Sequence, residues 1–210
     1  MPLLPAVELT TGHHPAGSVI WMHGLGADGN DFVPVVKELG LPEALPLRFI
    51  FPHAPTRPIT INNGYVMRGW YDILELGALE RRVDESGIRE SQAAIEALIA
   101  REVERGIAAD RIVLAGFSQG GVIALQTGLR HKEKLAGIMA LSTYLALQSS
   151  LAQEASAANK DIPIFLAHGT HDDIIPIQLA HASRDALMRA GYLVEWHDYR
   201  MPHSVSPDEI

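Results

Sequence analysis

A serine flanked by glycines is the first feature of this chain that could do chemistry. Residues 116–120 read Gly-Phe-Ser-Gln-Gly, with Ser118 at the centre. They lie between an apolar run that predicts a strand, Ile112–Ala115, and a segment that predicts a helix, Val122–Leu129. A serine on such a tight turn exposes its hydroxyl for nucleophilic attack, and its neighbours must be small to avoid a clash. We therefore expect Ser118 to be a nucleophile; a glycine-rich turn with an incidental serine is the alternative.

Possible acid and base partners follow the serine along the chain. A serine hydroxyl needs a base to accept its proton and a carboxylate to orient that base. Asp172 and Asp173 follow the strand predicted at Ile164–Ala167, and His203 follows the strand predicted at Leu193–Trp196. The carboxyl ends of parallel strands meet at one edge of a sheet, where such sites form. We expect His203 as the base and either aspartate as the acid. The alternatives are that the aspartate caps the next helix and that His203 is an ordinary surface histidine.

A second glycine-rich loop could stabilise negative charge. Charge that develops on a carbonyl oxygen needs backbone N–H donors held in place. Gln119, directly after the serine, supplies one such N–H, and Leu25 in the loop 23–29 is the expected source of the other. This loop follows the strand predicted at Ser18–Met22. It lacks the further glycine spacing and the lysine of nucleotide-binding loops, so we exclude a nucleotide site here.

Histidines beside acidic residues could instead hold a metal ion. The candidates are His168 and His171 beside the two aspartates, and His13 with His14. Neither group has a recognised ligand spacing with a third ligand nearby. We therefore expect no metal and no cofactor.

The rest of the pattern describes the elements that must position these residues. Short apolar runs alternate with longer amphipathic stretches, which predicts an α/β fold: a mostly parallel central sheet flanked by helices on both faces. The segment after Pro52 through Met67 holds several prolines and a glycine, and predicts a long ordered loop. Besides the strands and helix given above, we expect strands at Arg48–Phe51 and Gly137–Leu141, and helices at Ile88–Val103 and Ile177–Arg189.

Composition bounds the kind of protein. The 210 residues, 47% of them hydrophobic, suffice for one globular domain, 1–210, with a buried core. The chain has no cysteine, which excludes a disulfide scaffold and a thiolate nucleophile. A net charge of -8 argues against nucleic acid as a partner. Because no leader sequence and no apolar run of membrane-spanning length is present, we expect a soluble, cytoplasmic protein.

Taken together, these motifs resemble the carboxylesterase and acyl-protein thioesterase family of small α/β-hydrolases over nearly the whole chain. The resemblance implies the α/β-hydrolase fold, a cofactor-free enzyme and, in many members, a homodimer. It also implies Asp172 as the acid and the amides of Leu25 and Gln119 as the oxyanion hole. The segments that carry the resemblance are His23–Gly26, Phe51–Pro55, Arg68–Asp72, the turn at Ser118, His168–Pro176 and Met201–Ser204.

The leading hypothesis is a serine hydrolase that cleaves small carboxylic esters through an acyl-enzyme on Ser118. The alternatives are an acyl-protein thioesterase or lysophospholipase that acts on long acyl chains, and a non-catalytic binding protein with the same fold. The acyl group needs an apolar surface near the serine. Trp70 and Tyr71 fit a core role and a site role equally well. The candidate acyl-binding residues are Trp70, Ile61, Tyr65, Leu74, Tyr144 and Leu145.

One departure from the family concerns the end of the chain. Members of the family usually continue past the catalytic histidine with a closing helix, whereas this sequence stops at Ile210. We expect the C-terminal helix to be truncated, through a trimmed or disordered terminus, and an apolar stripe of the sheet to lose its cover.

Overall fold

A computed structural model describes residues 3–75 and 82–210. Nine strands lie in these ranges, and seven of them form the central sheet in the order β1-β3-β2-β6-β7-β8-β9. The strands are β1 Ala6–Thr10, β2 Gly17–Met22, β3 Leu47–Pro52, β4 Thr56–Ile59, β5 Tyr65–Arg68, β6 Ile112–Phe117, β7 Gly137–Leu141, β8 Ile164–Gly169 and β9 Val194–Tyr199.

The central sheet is parallel except at one edge. β1 pairs antiparallel with β3, and every other neighbouring pair in this sheet is parallel. Every residue of β2 is buried, as expected for a parallel strand covered on both faces. The predicted strands are confirmed, with shifts of at most three residues at their ends.

Five helices connect these strands in the described part of the chain. They are α1 Val35–Glu38, α2 Glu85–Glu104, α3 Gln119–Gly128, α4 Gln148–Glu154 and α5 Ile177–Arg189. The longest, α2, begins where the Asp84 carboxylate accepts a hydrogen bond from the Gly87 N–H at 2.9 Å, which satisfies one of the free donors at a helix start. Its apolar positions at helical spacing, such as Ile88, Ile95 and Leu98, are fully buried.

Helices cover both faces of the sheet, but unequally. Apolar side chains of α2, α3, α4 and α5 pack with one face in the larger core cluster. On the other face, α1 contributes Val36 to a smaller cluster. Val113, Met139 and Phe165 on that face are only half-buried, and they line an open groove of about 470 Å³.

Some elements differ from the sequence-based expectations. The predicted loop before Met67 contains a two-stranded antiparallel hairpin, β4 with β5. Its exposed residues, such as Tyr65 and Val66, obscure the apolar pattern that predicts a strand. β1, α1 and α4 have no counterpart in these expectations, and α2 begins three residues before its expected start at Ile88. Within residues 3–75 and 82–210, no helix combines the length and apolarity that crossing a bilayer requires.

Candidate active site

Ser118 lies at the sharp turn between β6 and α3. Its φ and ψ angles are 55° and -120°, a conformation that costs energy for a residue other than glycine and that is concentrated at functional sites. The turn is so tight that a Cβ added to Gly116 would lie 2.1 Å from the Gly120 carbonyl oxygen. Two hydrogen bonds hold the backbone of the serine in place. The Ser118 N–H donates to the Leu141 carbonyl at 2.9 Å, and the Thr143 hydroxyl donates to the Ser118 carbonyl at 2.7 Å.

His203 links this serine to a carboxylate. Its Nε2 lies 2.9 Å from Ser118 Oγ, and its Nδ1 lies 2.6 Å from Asp172 Oδ2. A carboxylate can only accept, so Nδ1 carries the proton and Nε2 presents its lone pair to the hydroxyl. The Phe117 ring packs against the imidazole with 4.8 Å between centroids, which restricts the orientation of the imidazole. Ser118, His203 and Asp172, the aspartate that the resemblance implies, are thus in hydrogen-bond contact.

Asp172 is held as a carboxylate in a buried position. Its Oδ1 accepts hydrogen bonds from the N–H groups of Ile174 and Ile175 at 2.9 and 2.8 Å. Its Oδ2 lies 3.3 Å from His168 Nε2, a nitrogen that also donates to the Ile175 carbonyl at 2.8 Å. Burial alone would raise the pKa of Asp172, but the hydrogen bonds from His168 and His203 hold that pKa well below its usual range. The neighbouring Asp173 is exposed.

The two expected oxyanion donors lie on segments that press against each other. Leu25 follows β2, and Gln119 is the first residue of α3. A Cβ added to Gly24 would lie 3.5 Å from Ser118 Cβ, and one added to Gly120 would lie 2.2 Å from the last carbonyl oxygen of β2. Neither amide donates to another residue in the described part of the chain. Both N–H groups are therefore available next to the serine.

The Gln119 side chain ties these two segments to a third, Arg68–Asp72, which carries part of the resemblance but to which the sequence assigns no such contact. Its Oε1 accepts from the Trp70 N–H at 3.0 Å, and its Nε2 donates to the Tyr71 carbonyl at 2.8 Å. The Trp70 indole N–H in turn donates to the His23 carbonyl at 2.9 Å. No motif signals these contacts, because they join residues that are far apart in the chain.

A cavity of about 30 Å³ lies beside Ser118. Of the six expected acyl-binding residues, Tyr144 lines this cavity. The sequence singled out Tyr71 only as an even choice between core and site, and it missed the other apolar residues here. In the described structure, the cavity is lined by Tyr71, Ile73, Ser118, Gln119, Tyr144, Ile174 and Ile175.

The structure places the other five expected acyl-binding residues away from this cavity. Trp70 is fully buried and supports the loop after β2. Tyr65 is 69% exposed on the hairpin. Leu145 is buried in the core, where its N–H donates to the Ser183 hydroxyl. Ile61 and Leu74 are half-buried and do not line the cavity. Burial corrects the expectation for Trp70 and Leu145. For Tyr65, Ile61 and Leu74, acyl binding stays a prediction, since a long acyl group extends beyond a cavity of this size.

Comparison with known proteins bears on the identity of this site. Residues 6–210 match the sequence model of the phospholipase/carboxylesterase family. The chain is 44% identical to an acyl-protein thioesterase 1 of Neurospora crassa over 216 residues, which covers 99% of this chain and 86% of that protein. It is 38% identical to an acyl-protein thioesterase 1 of Yarrowia lipolytica over 214 residues, with coverage of 100% and 94%.

Solved structures agree with these sequence matches. Arabidopsis thaliana SOBER1 superposes with a TM-score of 0.87 at 32% identity, covering 92% of this chain and 93% of that one. Zea mays acyl-protein thioesterase 2 superposes with a TM-score of 0.81 at 26% identity, with coverage of 98% and 94%. The chain therefore belongs to the phospholipase/carboxylesterase family, a family of hydrolases with the α/β-hydrolase fold.

Proposed function

We propose that this protein is an acyl-protein thioesterase that works through an acyl-enzyme on Ser118. The observation that carries the proposal is the hydrogen-bond chain from Ser118 Oγ through His203 to Asp172, with links of 2.9 and 2.6 Å. Support for a thioester over a simple ester comes from the names of the relatives, since those at 44% and 38% identity are acyl-protein thioesterases. This favours the second of the sequence-based hypotheses over the leading one.

The acylation step follows from the positions of the three side chains. As Ser118 Oγ bonds to the acyl carbon of the thioester, His203 Nε2 accepts the hydroxyl proton, and Asp172 stabilises the imidazolium through Nδ1–H. The carbonyl oxygen gains negative charge, and the N–H groups of Leu25 and Gln119 donate to it. When the carbon–sulfur bond breaks, the imidazolium gives its proton to the leaving sulfur. The products are the acyl-enzyme and the free thiol of the cysteine in the substrate protein.

Deacylation uses the same groups, with water as the nucleophile and Ser118 Oγ as the leaving group. A water molecule takes the place of the thiol, and His203 Nε2 removes one proton from it as the water oxygen bonds to the acyl carbon. The same two N–H groups stabilise the second oxyanion. The carbon–oxygen bond to Ser118 then breaks, the imidazolium returns its proton to Oγ, and a free carboxylic acid leaves.

A second candidate function is hydrolysis of small carboxylic esters. The observation in its favour is the cavity beside Ser118, whose volume of about 30 Å³ is close to that of one water molecule. A short acyl group requires little further space, whereas a long chain must open this cavity or lie along the surface beyond it.

The discriminating experiment compares substrates that differ in one property at a time. The first pair is a peptide palmitoylated on cysteine and the same peptide palmitoylated on serine; the second series varies the thioester acyl group from acetyl to palmitoyl. We expect kcat/KM to rise with acyl length and to reach about 10⁴ M⁻¹s⁻¹ or more for the palmitoyl thioester. Faster cleavage of the serine ester than of the cysteine thioester, together with higher kcat/KM for acetyl than for palmitoyl groups, would favour the short-chain esterase instead.

The matched control is Ser118→Ala. It should lower kcat at least about 10³-fold and leave the melting temperature nearly unchanged, because alanine adds no atom to the tight turn. Turnover that survives in this variant would refute the role of Ser118. A folded wild-type enzyme without activity on any of these substrates would refute the proposal in favour of a binding function.

A further inference from the structure

We propose that His23 is a positioning residue for the oxyanion hole, because its imidazole fixes the orientation of the peptide unit between Gly24 and Leu25. The inference rests on the proposed function, since the direction of the Leu25 N–H matters to catalysis only if Ser118 attacks a carbonyl. The proposal assigns a side chain to the oxyanion hole, whose expected donors are backbone N–H groups.

Two backbone groups determine the tautomer of the His23 ring. The Ala54 N–H donates to His23 Nε2 at 3.0 Å, so Nε2 carries no proton. The remaining proton must sit on Nδ1, which lies 2.7 Å from the Gly24 carbonyl oxygen and donates to it. The residue is 1% exposed, and desolvation by burial lowers the pKa of His23. The ring is therefore neutral, with one donor and one acceptor, and both are used.

The geometry of the peptide bond converts this contact into an orientation of the oxyanion donor. The carbonyl of Gly24 and the N–H of Leu25 belong to one planar unit and point in opposite directions. Holding the oxygen toward the imidazole turns the N–H to the other side of the unit. Within the described residues, nothing accepts the Leu25 N–H. The loop also lies against the nucleophile, since a Cβ on Gly24 would lie 3.5 Å from Ser118 Cβ.

This peptide unit needs an external restraint because glycine precedes it. Gly24 gives the backbone access to conformations that other residues rarely adopt, so rotation of the unit would present an oxygen, in place of an N–H, to the developing oxyanion. One other bond holds the same oxygen: the Ala27 N–H donates to it at 3.3 Å. The shorter contact from the imidazole is the stronger of the two restraints.

The histidine ring is itself well fixed, so it can serve as a reference point. The Trp70 ring lies 5.4 Å from it between centroids, and the Trp70 indole N–H donates to the His23 carbonyl at 2.9 Å. Both bonds of the ring run to backbone groups, at Gly24 and Ala54. Movement of the imidazole would therefore break several contacts at once.

Two substitutions separate the two ring contacts. The amide nitrogen of asparagine is as many bonds from Cβ as Nδ1, so His23→Asn keeps a donor for Gly24 and loses the acceptor for Ala54. The amide oxygen of glutamine is as many bonds from Cβ as Nε2, so His23→Gln keeps the acceptor and loses the donor. Both variants lose the ring that packs against Trp70, so each is the control for the other.

We expect kcat of His23→Asn to exceed that of His23→Gln by about 10-fold or more. Loss of one oxyanion donor costs about 10²–10³ in kcat, and the bond from Ala27 preserves part of the orientation. KM should differ little between the variants, and the acid limb of the pH–rate profile should keep its midpoint, because His203 and Asp172 are untouched. Equal kcat values, a difference confined to KM, or losses that follow the melting temperatures would overturn the proposal.

Crystal structures of the two variants provide a readout that does not depend on turnover. If the wild-type enzyme were inactive on every ester and thioester, the proposed function would fail, but the direction of the Leu25 N–H could still be observed. A rotated peptide unit in His23→Gln and a native one in His23→Asn would support the positioning role. The native orientation in His23→Gln would refute it.

Discussion

Replacement of Asp172 by asparagine removes one charge and almost no volume. In the wild-type protein, Oδ1 accepts from two backbone N–H groups, while Oδ2 accepts from His203 and faces His168 Nε2. Asparagine has one oxygen and one NH₂ group. With the NH₂ toward the histidines, this NH₂ faces the N–H of His168, another donor. It also needs an acceptor on His203, so the proton of His203 moves from Nδ1 to Nε2. With the NH₂ toward the backbone, it meets the donors of Ile174 and Ile175.

Either orientation of the introduced amide is costly, and we expect the first. His203 would then hold its proton on Nε2, facing Ser118, where it cannot accept another. The expected loss in kcat is about 10⁴-fold, equivalent to about 5 kcal/mol of transition-state stabilisation. Because the pKa of Asp172 lies well below its usual range, the wild-type group stays ionised throughout the assay range and contributes no acid limb of its own.

The assay measures steady-state hydrolysis of a chromogenic ester by the wild type, Asp172→Asn and the matched control Asp173→Asn. Asp173 is the exposed neighbour, and its substitution should change kcat by less than about 3-fold, as is usual for surface changes. Comparable losses in the two variants, or a larger loss at Asp173, would refute the assignment of the acid and the tautomer argument with it.

Two further predictions concern stability. Gly120→Ala places a Cβ 2.2 Å from a β2 carbonyl oxygen. The substitution should lower the free energy of unfolding by about 1–3 kcal/mol, and it should also lower kcat. An unchanged denaturant midpoint would show that α3 can move away from β2 freely. Glu154 bonds Ser150, Arg89 and Arg130 at 2.6–2.7 Å, which lowers the pKa of Glu154 from 4.5 to about 2. The ionised Glu154 therefore stabilises the fold above pH 4.5, and this stabilisation is lost as the pH falls toward 2. In acid-denaturation curves, the difference in stability between wild type and Glu154→Gln should shrink over that range. A difference that stays constant would contradict this prediction.

Sequence patterns predicted the elements whose burial repeats along the chain. α5 and β7 occupy the predicted residues, because a regular apolar period reflects packing on a sheet. The β4–β5 hairpin has no such period: Pro58 lies within it, and Tyr65 is exposed. Its two strands pair with each other and not with the central sheet, so local sequence does not report them.

The same distinction applies to the site. Ser118 and His203 could be singled out because the turn geometry demands glycine and the chemistry demands serine, acid and histidine in that order. The same pattern left Asp172 and Asp173 open, and the family resemblance chose between them. The acyl-facing residues could not, since neighbours such as Trp70 and Tyr71 differ only in long-range contacts. Dimer formation stays a prediction, because the composition of one chain does not report an interface.

The arrangement of the sheet also determines when the enzyme becomes active during folding. Ser118 and His203 are 85 residues apart in the chain, and the histidine follows β9, which pairs only with β8 at the edge of the sheet. The catalytic pair therefore forms only when segments that are far apart in the chain have come together, at a cost in loop-closure entropy. A chain that has assembled β2, β3 and β6 but not β9 has no base for its serine. Recovery of hydrolysis after denaturation therefore requires the docking of β9 at the edge of the sheet and cannot precede it.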